Sequence, residues 1–257
     1  MDLDRLTEIA PGVLVATAEP YVTTTTVVVG PAGSCLLIDP AVTVAELTGL
    51  AASLSARGLR PVAGWSTHPH WDHVLWHPAF GPDVPRFAAP AAVAAVARER
   101  DRILKATEET APGHDPSFIG QLTSLAAGAI PWDGPAADII VHSAHAPGHG
   151  AVFLPDSGVL VAGDMCSDIE MPLLDMDTAD PLGDYRTGLA RLAAVPGVRQ
   201  VVPGHGHVGD AEEFRRRLAA DTAYLDKLER PTPFDDSRIT RDWLRAVHNA
   251  QLDRFRH

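Results

Sequence analysis

Four side chains of metal-ligand type fall within six residues, in the run His68-Pro69-His70-Trp71-Asp72-His73. As packing residues, histidine and aspartate at this density would bury polar atoms without partners. In an extended backbone His68 and His70 point to the same side, while a turn after Trp71 can bring Asp72 and His73 to a neighbouring position. The run can therefore serve two metals side by side.

Three further candidates adjoin short apolar segments later in the chain. His149 lies in Pro147-Gly148-His149-Gly150, Asp164 closes the apolar run 158–163, and His205 lies in Pro203-Gly204-His205-Gly206. Each alone is equally well explained as a turn residue that caps a strand or the next helix. Together they share a context, because each adjoins a predicted strand and glycines that allow close backbone approach. Ligands bind at such an edge in open α/β sheets.

The elements that must position these residues begin with three predicted strands, at 12–16, 23–29 and 34–38. Thr43 and Glu46 have the spacing of a capping box, which predicts a helix over 44–57 that stops at Gly58 and Pro61. A strand over 62–67 follows. Strand, helix and strand form a βαβ unit, so part of the sheet is predicted to be parallel.

Further strands are predicted at 139–141, 151–154, 159–162 and 200–202, with a helix over 185–194. Asp210 and Glu213 resemble a second capping box ahead of an apolar helical stripe, and a last helix is predicted over 242–255. We predict one α/β domain over 1–257, with a helical excursion at about 90–135 and C-terminal helices at about 210–257.

The composition narrows the class of protein. The 257 residues carry a formal net charge of −12, which disfavours nucleic acid as a partner. The apolar runs are shorter than the ~20 residues that a membrane helix needs, so no membrane partner is predicted. Two cysteines, Cys35 and Cys166, cannot form a disulfide framework, and the N-terminal residues lack a signal-peptide pattern. We therefore expect a cytoplasmic protein.

In order and strand placement, the motifs resemble those of the metallo-β-lactamase-fold superfamily. The HxHxDH motif is matched by His68, His70, Asp72 and His73, and the resemblance spans roughly 9–209. It implies a four-layer αββα sandwich of two mixed β-sheets flanked by helices. It also implies two metal positions, one held by His68, His70 and His149 and the other by Asp72, His73 and His205, with Asp164 bridging.

This donor set suits two Zn²⁺ ions, although iron or manganese is possible with the same residues. A hydroxide that bridges two such metals attacks electrophilic carbonyl centres. Asp72, beside the nucleophile, could relay a proton to the leaving group and is our candidate catalytic residue. The expected protein is a metal-dependent hydrolase that cleaves an ester, lactone, thioester or related acyl bond of a small molecule.

Two other classes of function stay open: a mononuclear iron oxygenase of the persulfide dioxygenase type, and a non-catalytic metal-binding protein. By the resemblance, Asp164 argues against a class B β-lactamase. Trp71 and the segment 74–76 depart from the usual residues after the motif, so no subfamily is assigned. Neither the natural substrate nor an oligomeric state is predicted, although the Ala, Gly and Pro content of the excursion suggests a neutral or apolar substrate.

Single residues near the motifs have two interpretations each. His145 could orient a ligand or be a structural histidine. Cys166 is expected to be a buried thiol rather than a ligand, and Tyr185 to pack in a helix rather than to contact substrate. Trp71 and Trp76 could line a pocket or pack in the core.

Overall fold

A computed structural model describes residues 6–126, 128–230 and 232–255. The two ends of the predicted domain, 1–5 and 256–257, lie outside the described residues. The first of two sheets has seven strands in chain order: β1 (Thr7–Ala10), β2 (Val13–Thr17), β3 (Thr24–Val29), β4 (Ser34–Ile38), β5 (Arg60–Trp65), β6 (Arg86–Ala88) and β7 (Thr123–Ser124). The short strands β1, β6 and β7 were not predicted from the sequence.

The first sheet is mixed. Strands β1 to β4 pair antiparallel, whereas β4 to β7 pair parallel. Helix α1 (Val44–Ala56) connects β4 with its parallel neighbour β5, so the predicted βαβ unit is confirmed. The predicted capping box also forms, because Thr43 Oγ1 accepts from the Glu46 N–H at 3.2 Å and Glu46 Oε2 accepts from the Thr43 N–H at 3.1 Å.

The second sheet has five strands: β8 (Asp138–His142), β9 (His149–Leu154), β10 (Val159–Gly163), β11 (Gln200–Pro203) and β12 (Gly209–Asp210). Their order is β12-β11-β10-β9-β8, and only the β10–β11 pair among these strands is parallel. Strands β8 to β11 follow the predicted ones within about two residues, whereas the two-residue strand β12 was not predicted.

Five more helices complete the described structure: α2 (Pro90–Arg98), α3 (Arg100–Thr110), α4 (Pro181–Ala193), α5 (Ala211–Leu228) and α6 (Asp242–Phe255). Asp210 caps α5 by accepting from the N–H groups of Glu212 and Glu213. The Glu213 carboxylate bonds to Arg216 and Arg217 instead of turning back to Asp210. The second capping motif is therefore a single N-cap.

Three apolar layers hold the sheets and helices together. Leu36, Trp65 and Val152 belong to the cluster between the two sheets. Leu37 packs with Leu47 of α1 on the outer side of the first sheet, and a third cluster lies between the second sheet and α4 to α6. Because successive side chains of a strand point to opposite sides, apolar residues reach both faces of each sheet. The αββα sandwich of two mixed sheets is confirmed.

The two sheets are joined directly at one edge. The Thr24 N–H at the start of β3 donates to the Gly204 carbonyl just after β11, at 2.8 Å, and Thr23 forms a β-bridge with His205. The carboxyl ends of β5, β10 and β11 meet at this same edge. Within the three described ranges, no helix combines the length and apolar character needed to cross a bilayer.

Candidate metal centre

The histidine-rich run begins after Ser66 and Thr67, which follow β5, and ends in a short 3₁₀ turn, Trp71–His73. The His73 N–H donates to the His70 carbonyl at 3.1 Å, which turns Asp72 and His73 away from the direction of the preceding residues. Asp72 and His73 are buried in this turn. The predicted turn is present and divides the run between two groups of side chains.

The first cluster consists of His68, His70, His145 and Asp164. His70 Nδ1 lies 3.1 Å from His68 Nε2 and 3.0 Å from His145 Nε2. Asp164 Oδ2 lies 3.4 Å from both of those Nε2 atoms. Three ring nitrogens and one carboxylate oxygen therefore converge on one point.

The second cluster consists of Asp72, His73 and His205. The Nε2 atoms of His73 and His205 are 3.3 Å apart, and Asp72 Oδ2 lies 3.7 Å from the first and 3.3 Å from the second. The histidines come from two different sheets, because His73 follows β5 and His205 follows β11.

Asp164, at the end of β10, lies between the two clusters. Its Oδ2 atom contacts His68 and His145 of the first cluster and, at 3.3 Å, His205 Nε2 of the second. Its Oδ1 atom lies 3.2 Å from His73 Nε2 and, among the described residues, accepts no hydrogen bond. One carboxylate thus faces four imidazoles.

Close backbone approach is required beside this carboxylate. A Cβ atom on Gly204 would collide with Asp164 Oδ1 and lie 2.9 Å from His73 Cε1. Glycine is therefore needed before His205, as its motif suggested.

His149 is not in either cluster, and His145 takes the place that the sequence analysis gave to His149. His149 is the first residue of β9 and is fully buried behind His68, with the two rings stacked at 5.2 Å between centroids. Its other face stacks on His142 at 4.5 Å. Neither nitrogen of His149 has a hydrogen-bond partner within the described part of the chain.

In three of the cluster histidines the Nδ1 atom, the outer nitrogen that points away from the cluster, lies within hydrogen-bond distance of an acceptor oxygen. His145 Nδ1 lies 2.8 Å from the Leu173 carbonyl, and His205 Nδ1 lies 3.2 Å from the Tyr21 carbonyl. His73 Nδ1 lies 2.9 Å from Asp39 Oδ2. Protonation of these outer nitrogens directs the Nε2 lone pairs toward the clusters.

Asp39, which is not among the predicted site residues, supports histidines of both clusters. It follows β4, is buried, and accepts from the Thr67 N–H at 2.8 Å and the Thr67 hydroxyl at 2.6 Å. The same hydroxyl lies 3.0 Å from His68 Nδ1. One buried carboxylate therefore orients both His68 and His73. A signal was present, because Asp39 ends an apolar strand just as Asp164 does.

The protonation states differ between the clusters. Burial lowers the pKa of His68 well below its ordinary value, and burial together with the charge of His145 lowers that of His70 to about 3. Burial also opposes charge on His73 and His205, but Asp164 and the neighbouring carboxylates outweigh it and raise both pKa values. His68 and His70 thus offer neutral imidazoles, while His73 and His205 hold protons that a cation would displace.

The spacing of the donor atoms fits metal ions. Donors about 2.0–2.1 Å from one zinc at tetrahedral angles lie about 3.3 Å from each other. The contacts within the two clusters run from 3.0 to 3.7 Å. Asp164 Oδ1, buried without a hydrogen bond among the described residues, has an unused lone pair facing the second cluster. Nitrogen and carboxylate donors suit zinc, iron or manganese.

The clusters open into a cavity of about 930 Å³. His70, Asp72, His145, Asp164 and His205 line its floor. Glu170 also lines it, and burial raises the pKa of this carboxyl to about 7. A small organic molecule can therefore reach both clusters at once.

The sequence profile of the metallo-beta-lactamase superfamily matches residues 18–205, a range that contains both clusters. The chain belongs to this superfamily. A hydroxyacylglutathione hydrolase of Rhodobacter capsulatus is 28% identical to it over 193 residues, which cover 70% of this chain and 67% of that protein.

Solved structures agree with the superfamily fold. A metallo-beta-lactamase family protein from Thermus thermophilus superposes with a TM-score of 0.71 at 22% identity, over 97% of this chain and 94% of the other. The protein TTHA1623, solved in a di-iron-bound form, gives a TM-score of 0.63 at 25% identity, over 79% of this chain and 97% of its own.

Four other residues for which the sequence allowed two roles lie either in the core or at the cavity. Tyr185 and Cys166 are buried in the cluster between the second sheet and its helices, as expected. Trp76 packs in the core against Phe80, while Trp71 lines the cavity. Trp76 is therefore a core residue, and Trp71 is a cavity residue.

Proposed function

We propose that the protein is a hydrolase that binds two divalent metal ions, zinc first among them, and cleaves an acyl bond of a small molecule. The observation that carries the proposal is the position of Asp164, whose carboxylate contacts histidines of both clusters. A residue in that position can be shared by two cations. The proposed substrate bond is an ester, lactone or thioester.

His68, His70 and His145 would hold one ion, and Asp72, His73 and His205 the other, with Asp164 shared. The bound ions would supply Lewis acidity toward a carbonyl oxygen and would lower the pKa of bound water toward neutrality. The hydrogen bonds from outer nitrogens to Asp39, Leu173 and Tyr21 keep the rings in place during turnover.

Asp72 is the proposed proton carrier. Burial opposes its ionisation, but the charges of His73 and His205 outweigh burial and lower its pKa, so the carboxylate is ionised near neutral pH. It lines the cavity floor, where a leaving group would emerge. An ionised carboxylate at this point can accept a proton from water and pass it to the leaving group.

The relatives support the reaction class. The hydroxyacylglutathione hydrolase similar to this chain bears the name of a thioester hydrolase, and the di-iron-bound TTHA1623 supports iron as an alternative metal. The proposal includes a small-molecule partner and a cytoplasmic location, with no nucleic acid or membrane partner. Complete donor sets in both clusters favour the hydrolase over a mononuclear iron oxygenase.

Elemental analysis of protein purified without chelator, followed by an activity panel, tests the proposal. We expect about two metal equivalents and hydrolysis of an acyl substrate among esters, thioesters, lactones, lactams and phosphodiesters. Asp164→Ala should lose metal and activity together. One equivalent of iron, with oxygen consumption on glutathione persulfide and no hydrolysis, would establish the oxygenase instead. Stoichiometric metal with no reaction on any substrate would establish a non-catalytic protein.

A further inference from the structure

Helix α6 presents an apolar face to the cavity beside the metal clusters. Trp243, Val247 and Ala250 line the cavity and have the spacing of a single helix face. The large apolar side chain of Trp243 is 36% exposed. Together these three side chains give the cavity an apolar wall on the side of α6.

Aromatic rings connect this face to the second cluster. The Tyr21 ring lies edge-on to His205, with 6.2 Å between centroids, and edge-on to Trp243, with 6.4 Å. Trp71 lies on another side of Tyr21 at 6.5 Å. A substrate whose reacting carbonyl lies over the clusters can therefore place an attached apolar group against these rings.

Hydrogen bonds fix the apolar face relative to the first cluster. Buried Gln251 of α6 accepts from the Leu174 N–H at 2.8 Å and donates to the Pro172 carbonyl at 3.1 Å. The carbonyl of the intervening residue, Leu173, accepts from His145. Helix α6, the segment 172–174 and His145 form one connected unit, so the apolar wall is in place before a ligand binds.

The charges around the cavity do not favour an anionic ligand. Arg98 and Arg102 line it, but both form ion pairs with Glu99, at 2.7 and 3.2 Å. Asp175 and Asp177 also line the cavity in addition to the cluster aspartates, together with Glu170, whose carboxyl is only partly ionised near pH 7. Beyond the charge of the bound metal ions, an anionic leaving group such as glutathione would meet more negative than positive charge at the side chains of the cavity wall.

We propose that the cavity selects neutral acyl substrates that carry an apolar group, aromatic or aliphatic, which packs against Trp243 and Tyr21. Trp243 is then a specificity-determining residue. The inference rests on the proposed hydrolase function and specifies its substrate class. In the reaction water adds to the carbonyl carbon, the carbon–sulfur or carbon–oxygen bond breaks, and the departing thiol or alcohol takes a proton.

Matched thioesters test both parts of the inference in the metal-loaded enzyme. Phenylacetyl-N-acetylcysteamine is neutral, and phenylacetyl-glutathione has the same acyl group on an anionic thiol. We expect kcat/KM for the neutral thioester to exceed that for the glutathione thioester. We also expect it to exceed that for acetyl-N-acetylcysteamine by ~10-fold or more, the range that hydrophobic pockets give.

Three variants separate the contributions. Trp243→Ala should reduce the phenylacetyl-to-acetyl ratio by ~10-fold, whereas Asn249→Ala, on the same helix and outside the cavity lining, should leave it unchanged. Glu99→Gln, which frees Arg98 and Arg102, should raise the glutathione-to-cysteamine ratio ~3-fold.

A binding measurement keeps the inference separate from the hydrolase proposal. Phenylacetamide and acetamide are neutral and resist hydrolysis, and calorimetric titration gives their affinities directly. Tighter binding of phenylacetamide that depends on Trp243, with no substrate of the activity panel hydrolysed, would overturn the hydrolase proposal and support the apolar site. Preference for the glutathione thioester, or an unchanged acyl ratio in an active Trp243→Ala variant, would overturn the inference.

Discussion

The two faces of the His68 ring differ in what surrounds them. On the cavity side, contacts of 3.0 to 3.4 Å join the donor atoms of His68, His70, His145 and Asp164. On the interior side, His149 stacks against the ring, and its nitrogens have no partner among the described residues. His145 and His149 are both buried, at 5% and 0% exposure. Burial therefore does not separate a candidate ligand from a packing histidine, whereas the contacts of the ring nitrogens do, because His145 has a partner on each nitrogen and His149 has a described partner on neither.

The largest effect on metal content and activity is expected from a substitution on the cavity side of His68. His145→Ala should remove about one metal equivalent and lower kcat/KM at least ~100-fold, because a ligand matters at least as much as the groups that orient it. Elemental analysis and steady-state kinetics measure both quantities. His207→Ala, at an exposed histidine paired with Asp168, is the matched control. If His145→Ala retained two metal equivalents, His145 would not be a ligand, and its role would not differ from that of His149.

A second variant tests whether partners, rather than position, decide the role of a buried group. Asp39 lies behind His73, away from the cavity, yet its carboxylate accepts from His73 and Thr67. Asp39→Asn should weaken metal binding by ~10–100-fold, because an amide cannot hold the ring as strongly. Competition with a chelator gives the affinity. Thr67→Ser, which keeps the hydroxyl, should bind metal as the original protein does.

On the interior side, His149→Ala should cost stability and leave the metals in place. Loss of a buried ring typically lowers the free energy of unfolding by ~2–4 kcal/mol, measured by denaturant titration. His149→Leu, which keeps most of the volume, should cost less, because neither nitrogen has a described partner to lose. The contrast fails if His149→Ala loses a metal equivalent at unchanged stability.

The smallest effect is expected far from both faces, at the start of α5. Hydrogen bonds from Arg216 and Arg217 lower the Glu213 pKa from 4.5 to about 2. Because the folded-state pKa is the lower one, this stabilisation is complete above pH 4.5 and is lost as the pH falls toward 2. Glu213→Gln should therefore cost ~0.5–1 kcal/mol at pH 7 and progressively less as the pH falls through 2, whereas Glu212→Gln should show no such difference. A constant cost across this range would contradict the assignment.

Local sequence patterns predicted much of this molecule. The capping box at Thr43, the last helix and the strands on either side of the clusters follow from short-range spacing and are present. The HxHxDH run was predicted to turn after Trp71, and it does. In these cases the decisive interactions lie within four residues of each other.

The choice between His145 and His149 depends on interactions distant in sequence. His149 pairs with His142 across β8 and β9, and the Gly150 N–H donates to the Thr67 carbonyl at 2.7 Å. That register places His149 in the sheet and leaves His145 in the preceding loop, where the Leu173 carbonyl meets it. A four-residue spacing in sequence does not encode a register, which depends on which strands become neighbours.

The hydrogen-bonded connection from His145 through the segment 172–174 to Gln251 has a thermodynamic consequence. If occupancy of the apolar wall of α6 tightens the position of His145, a ligand there raises the affinity for the first metal. Linkage then requires that the metal raise the affinity for that ligand by the same factor. The same few hydrogen bonds would then couple metal binding to substrate selection through a single coupling free energy.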